Sequence, residues 1–294
     1  MKYSTRRRAR RRRRALCLLA AALLLLVFLH KNLLLGISSR SAILLDRQTE
    51  TVLAQKNARE PCAPASLTKM MTVLLAAEAC PDLDVPVTLP EEIFPELEAQ
   101  GASMAGFAPG ETVPLRDLLY GAMLPSGAEC CEALARQVSG SEEAFVALMN
   151  QKARELGMSH TWFENPTGLT GTNHKSTVED LAVLLCAALQ NQTFYKVFTT
   201  AKYTCSPTPQ HPDGLQRVST LLSRLDGDEI PNGTILGGKT GYTSAAGLCL
   251  ASLAQVDGRQ YILITLHAPG SHATEPFHIR DAIKVYRRLA HVWW

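Results

Sequence analysis

Three short stretches of the chain bring together side chains able to do chemistry. Ser66-Leu67-Thr68-Lys69 sets a hydroxyl and an amine three positions apart, and on a helix positions i and i+3 share a face. A serine in a first helical turn places its Oγ and its own amide at the positive end of the helix dipole, where an oxyanion is stabilised. A lysine one turn on serves as a base if burial and a second nearby cation lower its pKa. Lys239-Thr240-Gly241 follows Gly237 and Gly238 and precedes a strand-like segment at 248–253. Lys239 is a candidate for that second cation and for attracting a substrate carboxylate, and Gly241 permits close backbone approach by a ligand. Between the two, Ser126-Gly127-Ala128 follows Leu124-Pro125 and opens a helix. A hydroxyl there could relay protons between Ser66, Lys69 and a leaving group. Each stretch also has a plain structural reading: Ser66 and Ser126 as helix N-caps, and the Lys-Thr-Gly run as a turn.

The elements that must position these groups follow from the pattern. Residues 42–45 and 51–54 read as short strands around Asp46-Arg47-Gln48, a hairpin signal. Residues 66–79 are apolar nearly all round, which predicts a buried helix, with Pro64 just ahead and Pro81 just beyond. Residues 85–114 hold Pro86, Pro90, Pro95, Pro109, Gly110 and Pro114 and read as irregular. Helices are expected at 115–124, 129–138, 142–156 and 177–189, strands at 248–253 and 261–267, and a last helix at 275–290. Strands at both ends around a helical middle predict an α/β (α+β) domain. Its central antiparallel sheet would be built from N- and C-terminal strands, with a helical subdomain inserted.

The 294 residues are 46% hydrophobic, 19% charged and 6% aromatic, an ordinary globular composition that excludes wholesale disorder and a polytopic membrane protein. The net charge of +3 comes from one end. Residues 1–30 hold Lys2 and eight arginines with no acid, so the remainder carries 21 basic against 27 acidic residues. A nucleic-acid partner is therefore not expected. Residues 15–29 form an unbroken apolar run behind the arginines, interrupted at 30–32 and resumed at 33–37. This predicts a cytoplasmic basic segment at 1–14, a membrane anchor or signal segment at 15–37, a linker at 38–41 and one exported catalytic unit at 42–294. Ser39-Arg40-Ser41 makes a poor cleavage site, which favours an uncleaved anchor. Trp293 and Trp294 are candidates for membrane contact. Of eight cysteines, Cys17 falls in the anchor and no C-x-x-C pair exists, so buried free thiols are expected.

Order and spacing raise the weight of the three stretches: S-x-x-K, then Ser126, then K-T-G match the motif set of penicillin-binding proteins and class A β-lactamases. The chain resembles the serine-type D-alanyl-D-alanine carboxypeptidases, the low-molecular-mass penicillin-binding proteins. The resemblance is carried by residues 64–72, by Asn165-Pro166-Thr167-Gly168-Leu169, by 176–182 and by Gly238-Lys239-Thr240-Gly241-Tyr242-Thr243. It implies the β-lactamase/DD-peptidase-like fold. It also implies removal of the terminal D-alanine of peptidoglycan stem peptides through an acyl-enzyme on Ser66, without metal or cofactor. Lys69 would take the Ser66 proton, and the amides of Ser66 and Tyr242 would hold the oxyanion. Ser126 and Lys239 would pass a proton to the departing D-alanine. Lys239 and Thr240 would bind the terminal carboxylate, with Gly241, Tyr242 and Thr243 completing the substrate-binding strand. β-Lactams would bind covalently as stalled acyl-enzymes, and the protein would sit in the bacterial cell envelope.

Two departures stand out. The family has Asn at the third position of the middle motif, and here it is Ala128. That leaves open slower turnover, a partner from elsewhere, a penicillin- or peptidoglycan-binding protein without turnover, or a β-lactamase. Many members also carry a C-terminal β-rich domain and anchoring helix; here the N-terminal segment is expected to supply the tether. Glu164 does not fit the E-x-x-L-N pattern of a deacylating glutamate and reads as a loop residue, and Asn165 as turn-forming. His160, His174, His211, His267, His272 and His278 read as surface or structural, and Arg280 as part of a solvated helix face.

Overall fold

The computed structural model describes residues 33–227 and 230–290. Strands β1 (Ser41–Asp46) and β2 (Val52–Lys56) form the expected hairpin. Helix α1 (Lys69–Ala79) follows a 3₁₀ turn at Ala65–Thr68. The stretch expected to be irregular holds a ribbon of β3 (Pro86–Thr88) with β4 (Thr112–Pro114) and a short helix α2 (Phe94–Ala99), in which Pro95 takes a first-turn position. Helices α3 (Leu115–Met123), α4 (Ala128–Ser139), α5 (Glu142–Glu155) and α6 (Val178–Ala188) lie within two residues of expectation. Ser141 and Thr177 cap the last two, each accepting an amide hydrogen bond. A seventh helix, α7 (Gln192–Phe198), and a second ribbon, β5 (Lys202–Thr204) with β6 (Gln216–Val218), were not foreseen. Then come β7 (Gly233–Thr243), β8 (Gly247–Val256), β9 (Arg259–Ala268) and helix α8 (Phe277–Leu289).

The five long strands pair antiparallel in the order β2-β1-β9-β8-β7. The sheet is therefore closed by N- and C-terminal strands around an inserted helical subdomain, as the strand distribution predicts. Alternation of period two feeds two cores. Ile43, Leu45, Ala251, Leu253, Ile262 and Ile264 face the helical subdomain. Ala42, Leu44, Leu250, Ala254 and Leu263 face α8. Because both faces are covered, these strands read as apolar runs.

Leu33, Leu34 and Ile37 are buried in the second core with Val285, Tyr286 and Leu289. Asp281 accepts hydrogen bonds from the amides of Ser38 and Ser39. The apolar residues at 33–37, attached to the anchor by hydropathy, therefore pack into the domain, and the expected 15–37 boundary is too long at that end. The basic segment 1–14, the apolar run 15–29 and the terminal tryptophans lie outside the described residues. No helix among the described residues is long and apolar enough to cross a membrane. The seven described cysteines are free thiols.

Candidate active site

Ser66 sits in the 3₁₀ turn ahead of α1, not at an N-cap, and no side chain caps that turn. Ala65 is held at φ +48°, a left-handed conformation uncommon for alanine. It turns the chain so that Ser66 opens onto a cleft of about 500 Å³. Lys69 is the first residue of α1 and is buried. Its Nζ donates to Ser66 Oγ at 3.1 Å and to the Thr167 carbonyl at 2.7 Å. Burial pushes the ammonium below its ordinary pKa. The expected second cation acts in the other direction: Lys239 is fully buried, and burial together with the Lys69 charge holds it well below the ordinary range.

The Asn165–Gly168 loop fixes Lys69. Asn165 Oδ1 accepts from the amides of Thr167 and Gly168 and from Thr167 Oγ1, so Asn165 forms the turn as expected. Thr72 on α1 donates to the Pro166 carbonyl at 2.6 Å. Gly168 has φ +80°, and a Cβ there would lie 1.9 Å from the Ala65 carbonyl oxygen. Only glycine lets this loop lie against the Ser66 turn. Beneath the turn, His174 Nδ1 accepts from the Glu164 amide at 3.2 Å and its Nε2 bonds Thr68 Oγ1 at 2.8 Å. Burial lowers this imidazole to about 4, which keeps it neutral. Glu164 accepts from the Asn173 amide and is a loop residue.

The Lys-Thr-Gly run is not a turn. It lies within β7, the outer strand of the sheet, with Lys239 paired to Ala251 and Gly241 to Cys249. A Cβ at Gly241 would lie 3.1 Å from Ser66 N. The close approach that glycine permits is thus between β7 and the Ser66 turn itself. Thr240 Oγ1 meets Thr220 Oγ1 at 2.6 Å, and the Tyr242 ring is edge-on to His272 at 4.8 Å. Thr243 accepts from the Ala246 amide and lines the cleft.

Ser126 lies one residue before the Gly127 N-cap of α4, with φ +72° and a buried Oγ that has no hydrogen-bond partner among the described residues. It lines a cavity with Ser66, Thr220, Arg224, Thr240 and His278. The structure brings Ser126 to the site without bonding it to Lys69 or Lys239; Lys239 Nζ donates instead to the Thr240 carbonyl at 2.9 Å. Ala128 is buried, borders the Ser66 cleft and donates its amide to the Ser103 carbonyl at 2.8 Å. Thr220 and Arg224 line the site and were missed in the sequence, His272 and His278, read there as surface or structural, line it too, and the Thr167 carbonyl holds Lys69. Only Thr167 had a signal, since it lies in a stretch that carried the resemblance. His160, Glu179 and Asp180 bring ligand atoms within 4.8 Å. Both acids there are engaged, Asp180 by the His160 amide and Thr161, Glu179 by Arg59.

A serine hydrogen-bonded to a buried lysine thus lies beside the outer strand of an antiparallel sheet, next to a helical subdomain. A serine-to-alanine mutant of the Streptomyces K15 DD-transpeptidase superposes with a TM-score of 0.79 at 28% identity, covering 87% of this chain and 99% of its own. A D-alanyl-D-alanine carboxypeptidase from Mycobacterium tuberculosis H37Rv gives 0.72 at 26% identity, over 86% and 91%. The sequence matches the D-alanyl-D-alanine carboxypeptidase family, peptidase S11, over residues 30–270, and the chain belongs to that family. D-alanyl-D-alanine carboxypeptidase DacF of Bacillus subtilis is 33% identical over 80% of this chain and 58% of its own length. DacC of Escherichia coli is 31% identical over 79% and 57%. The chain thus spans less than two thirds of these two relatives.

Proposed function

We propose that the protein is a serine D-Ala-D-Ala carboxypeptidase of the bacterial cell envelope, acting on peptidoglycan stem peptides and acylated by β-lactams. The observation that carries this reading is the 3.1 Å contact between Ser66 Oγ and a buried Lys69 Nζ whose pKa is lowered. Ser66 Oγ attacks the carbonyl of the penultimate D-alanine while Lys69 takes its proton. The amides of Ser66 and Tyr242 receive the negative charge that develops on that carbonyl oxygen. The C–N bond breaks, and a proton passed through Ser126 or Lys239 leaves with the amine of the terminal D-alanine. Water then hydrolyses the ester. Thr240 and Arg224 line the cavity where the terminal carboxylate would sit, and β7 offers its outer edge to the peptide backbone. The N-terminal basic and apolar segments would export and tether the domain at the membrane.

The test is D-alanine release from diacetyl-L-Lys-D-Ala-D-Ala by the full chain, with and without prior labelling by a fluorescent penicillin. Release that the label abolishes is the expected result. A second reading, a penicillin-binding protein with little turnover, is favoured by Ala128 and by the unpartnered Ser126 Oγ; it predicts stable labelling without release. Rapid loss of the label would instead point to a β-lactamase.

A further inference from the structure

Beside the Ser66 cleft lies a second cavity of about 250 Å³ that shares Gln100, Leu169 and Thr170 with it. Its charged lining is four glutamates, Glu92, Glu96, Glu132 and Glu142, against one cation, Arg136. Two of the four have partners among the described residues. Glu92 pairs with Arg136, Glu96 accepts from Gln100, and Glu142 is half-buried at the start of α5. Glu132 is different: it is 6% exposed, faces the cavity, and its carboxylate makes no hydrogen bond or ion pair among the described residues. A buried carboxylate without a partner is costly to keep. Burial and the Glu142 charge push it up to about 8, so near pH 7 it is mostly the neutral acid and becomes a carboxylate when a cation arrives beside it. Such a group is what an incoming cation would satisfy.

The position of the cavity says which cation. Thr167 lines it, and the Thr167 carbonyl accepts from the lysine that activates Ser66. Ala128 and Glu132 stand one turn apart on the same face of α4, one bordering the Ser66 cleft and the other the acidic cavity. With the terminal carboxylate in the cavity that Arg224 and Thr240 line, the acyl side of the substrate extends the other way, past Ala128. The small methyl at 128 does not fill that path. Ile93, Leu97 and Leu169 give the acidic cavity apolar walls able to hold methylenes. We propose that this cavity is a subsite for the side-chain ammonium of the diamino acid that precedes the two D-alanines, with Glu132 as its principal partner. It rests on the peptidase reading above. Since cross-linking acylates that same amine, the subsite selects uncross-linked stems.

The test compares Nα-acetyl-L-Lys-D-Ala-D-Ala, which keeps its ε-ammonium, with the Nα,Nε-diacetyl peptide. D-alanine release by the full chain should favour the free ammonium in kcat/KM by at least about fivefold, the scale of one partly buried ion pair. NMR titration of the Ser66→Ala chain should show the same preference in Kd, whether or not turnover occurs. Glu132→Gln, and Glu132→Gln combined with Glu142→Gln, should bring both ratios to within about twofold of one. Release without the preference overturns the subsite and leaves the peptidase standing. Preferential binding without release supports the subsite and removes the carboxypeptidase. Equal loss on both peptides in Glu132→Gln overturns the subsite and assigns Glu132 to the electrostatics of Lys69.

Discussion

Replacing Gly168 by alanine perturbs the site without touching a reacting group. The new Cβ would fall 1.9 Å from the Ala65 carbonyl oxygen and 2.4 Å from its carbon. Contacts under 3.0 Å essentially never occur at a Cβ, so a gap of more than 1 Å must open between the Asn165–Gly168 loop and the Ser66 turn. The turn has little slack, because Ala65 already sits at φ +48°. Alanine at φ +80° adds about 1–2 kcal/mol of left-handed strain. The loop must therefore give, and it carries the Thr167 carbonyl away from Lys69 Nζ, now at 2.7 Å. Losing that bond is worth about 1–3 kcal/mol, which at about 1.4 kcal/mol per decade is a roughly 5- to 150-fold slower attack by Ser66. The assay is the second-order rate of acylation of the full chain by a fluorescent penicillin, with Tm measured alongside. Acylation within twofold of the unaltered chain would refute the claim that this loop positions Lys69.

Lys69 serves as a base only when neutral, so acylation should fall as pH drops through its lowered pKa and level off above it; Lys69→Arg should be slower by about 100-fold or more across the range. His174 and His278 are both buried and lowered from 6.5 to about 4. The unfolded chain binds their protons first, so stability should be complete above pH 6.5 and decline as pH falls to about 4. Each contributes up to about 3 kcal/mol to that decline, measurable by urea unfolding across the range. Lys239 is buried and bonds only the carbonyl of its neighbour Thr240 among the described residues. Lys239→Met should end D-alanine release yet raise Tm by about 2–4 °C or more, because a poorly satisfied buried amine is replaced by an apolar chain.

The Ser66–Lys69 pairing was legible because it is local. Ser66 and Lys69 are one helical turn apart, and their separation does not depend on the rest of the chain. The flanking strands β1, β8 and β9 were legible as apolar runs because α8 and the helical subdomain cover both faces of the sheet. What was lost lies where tertiary contact overrides propensity. β7 carries Gly237, Gly238 and Gly241, residues that weaken a strand signal. They are there because Phe198, Leu221 and the Ser66 turn occupy the space side chains would need. The helix over Phe94–Ala99 was masked by prolines, one of which is a first-turn residue. Arg224, His272 and His278 reach the Ser66 cavity from the loops and helix around β7 and β9. No spacing rule links them to Ser66. Glu132 shares its cavity with Asn165 and Thr167, residues far from it in the chain, so no local spacing marks it.

The central claim, that Ser66 is the nucleophile, is tested most directly by mass. The full chain incubated with penicillin should gain one penicillin mass, peptide mapping should place it on the peptide containing Ser66, and Ser66→Ala should neither gain mass nor release D-alanine. An adduct on another peptide, or D-alanine release that survives in Ser66→Ala, would contradict the account.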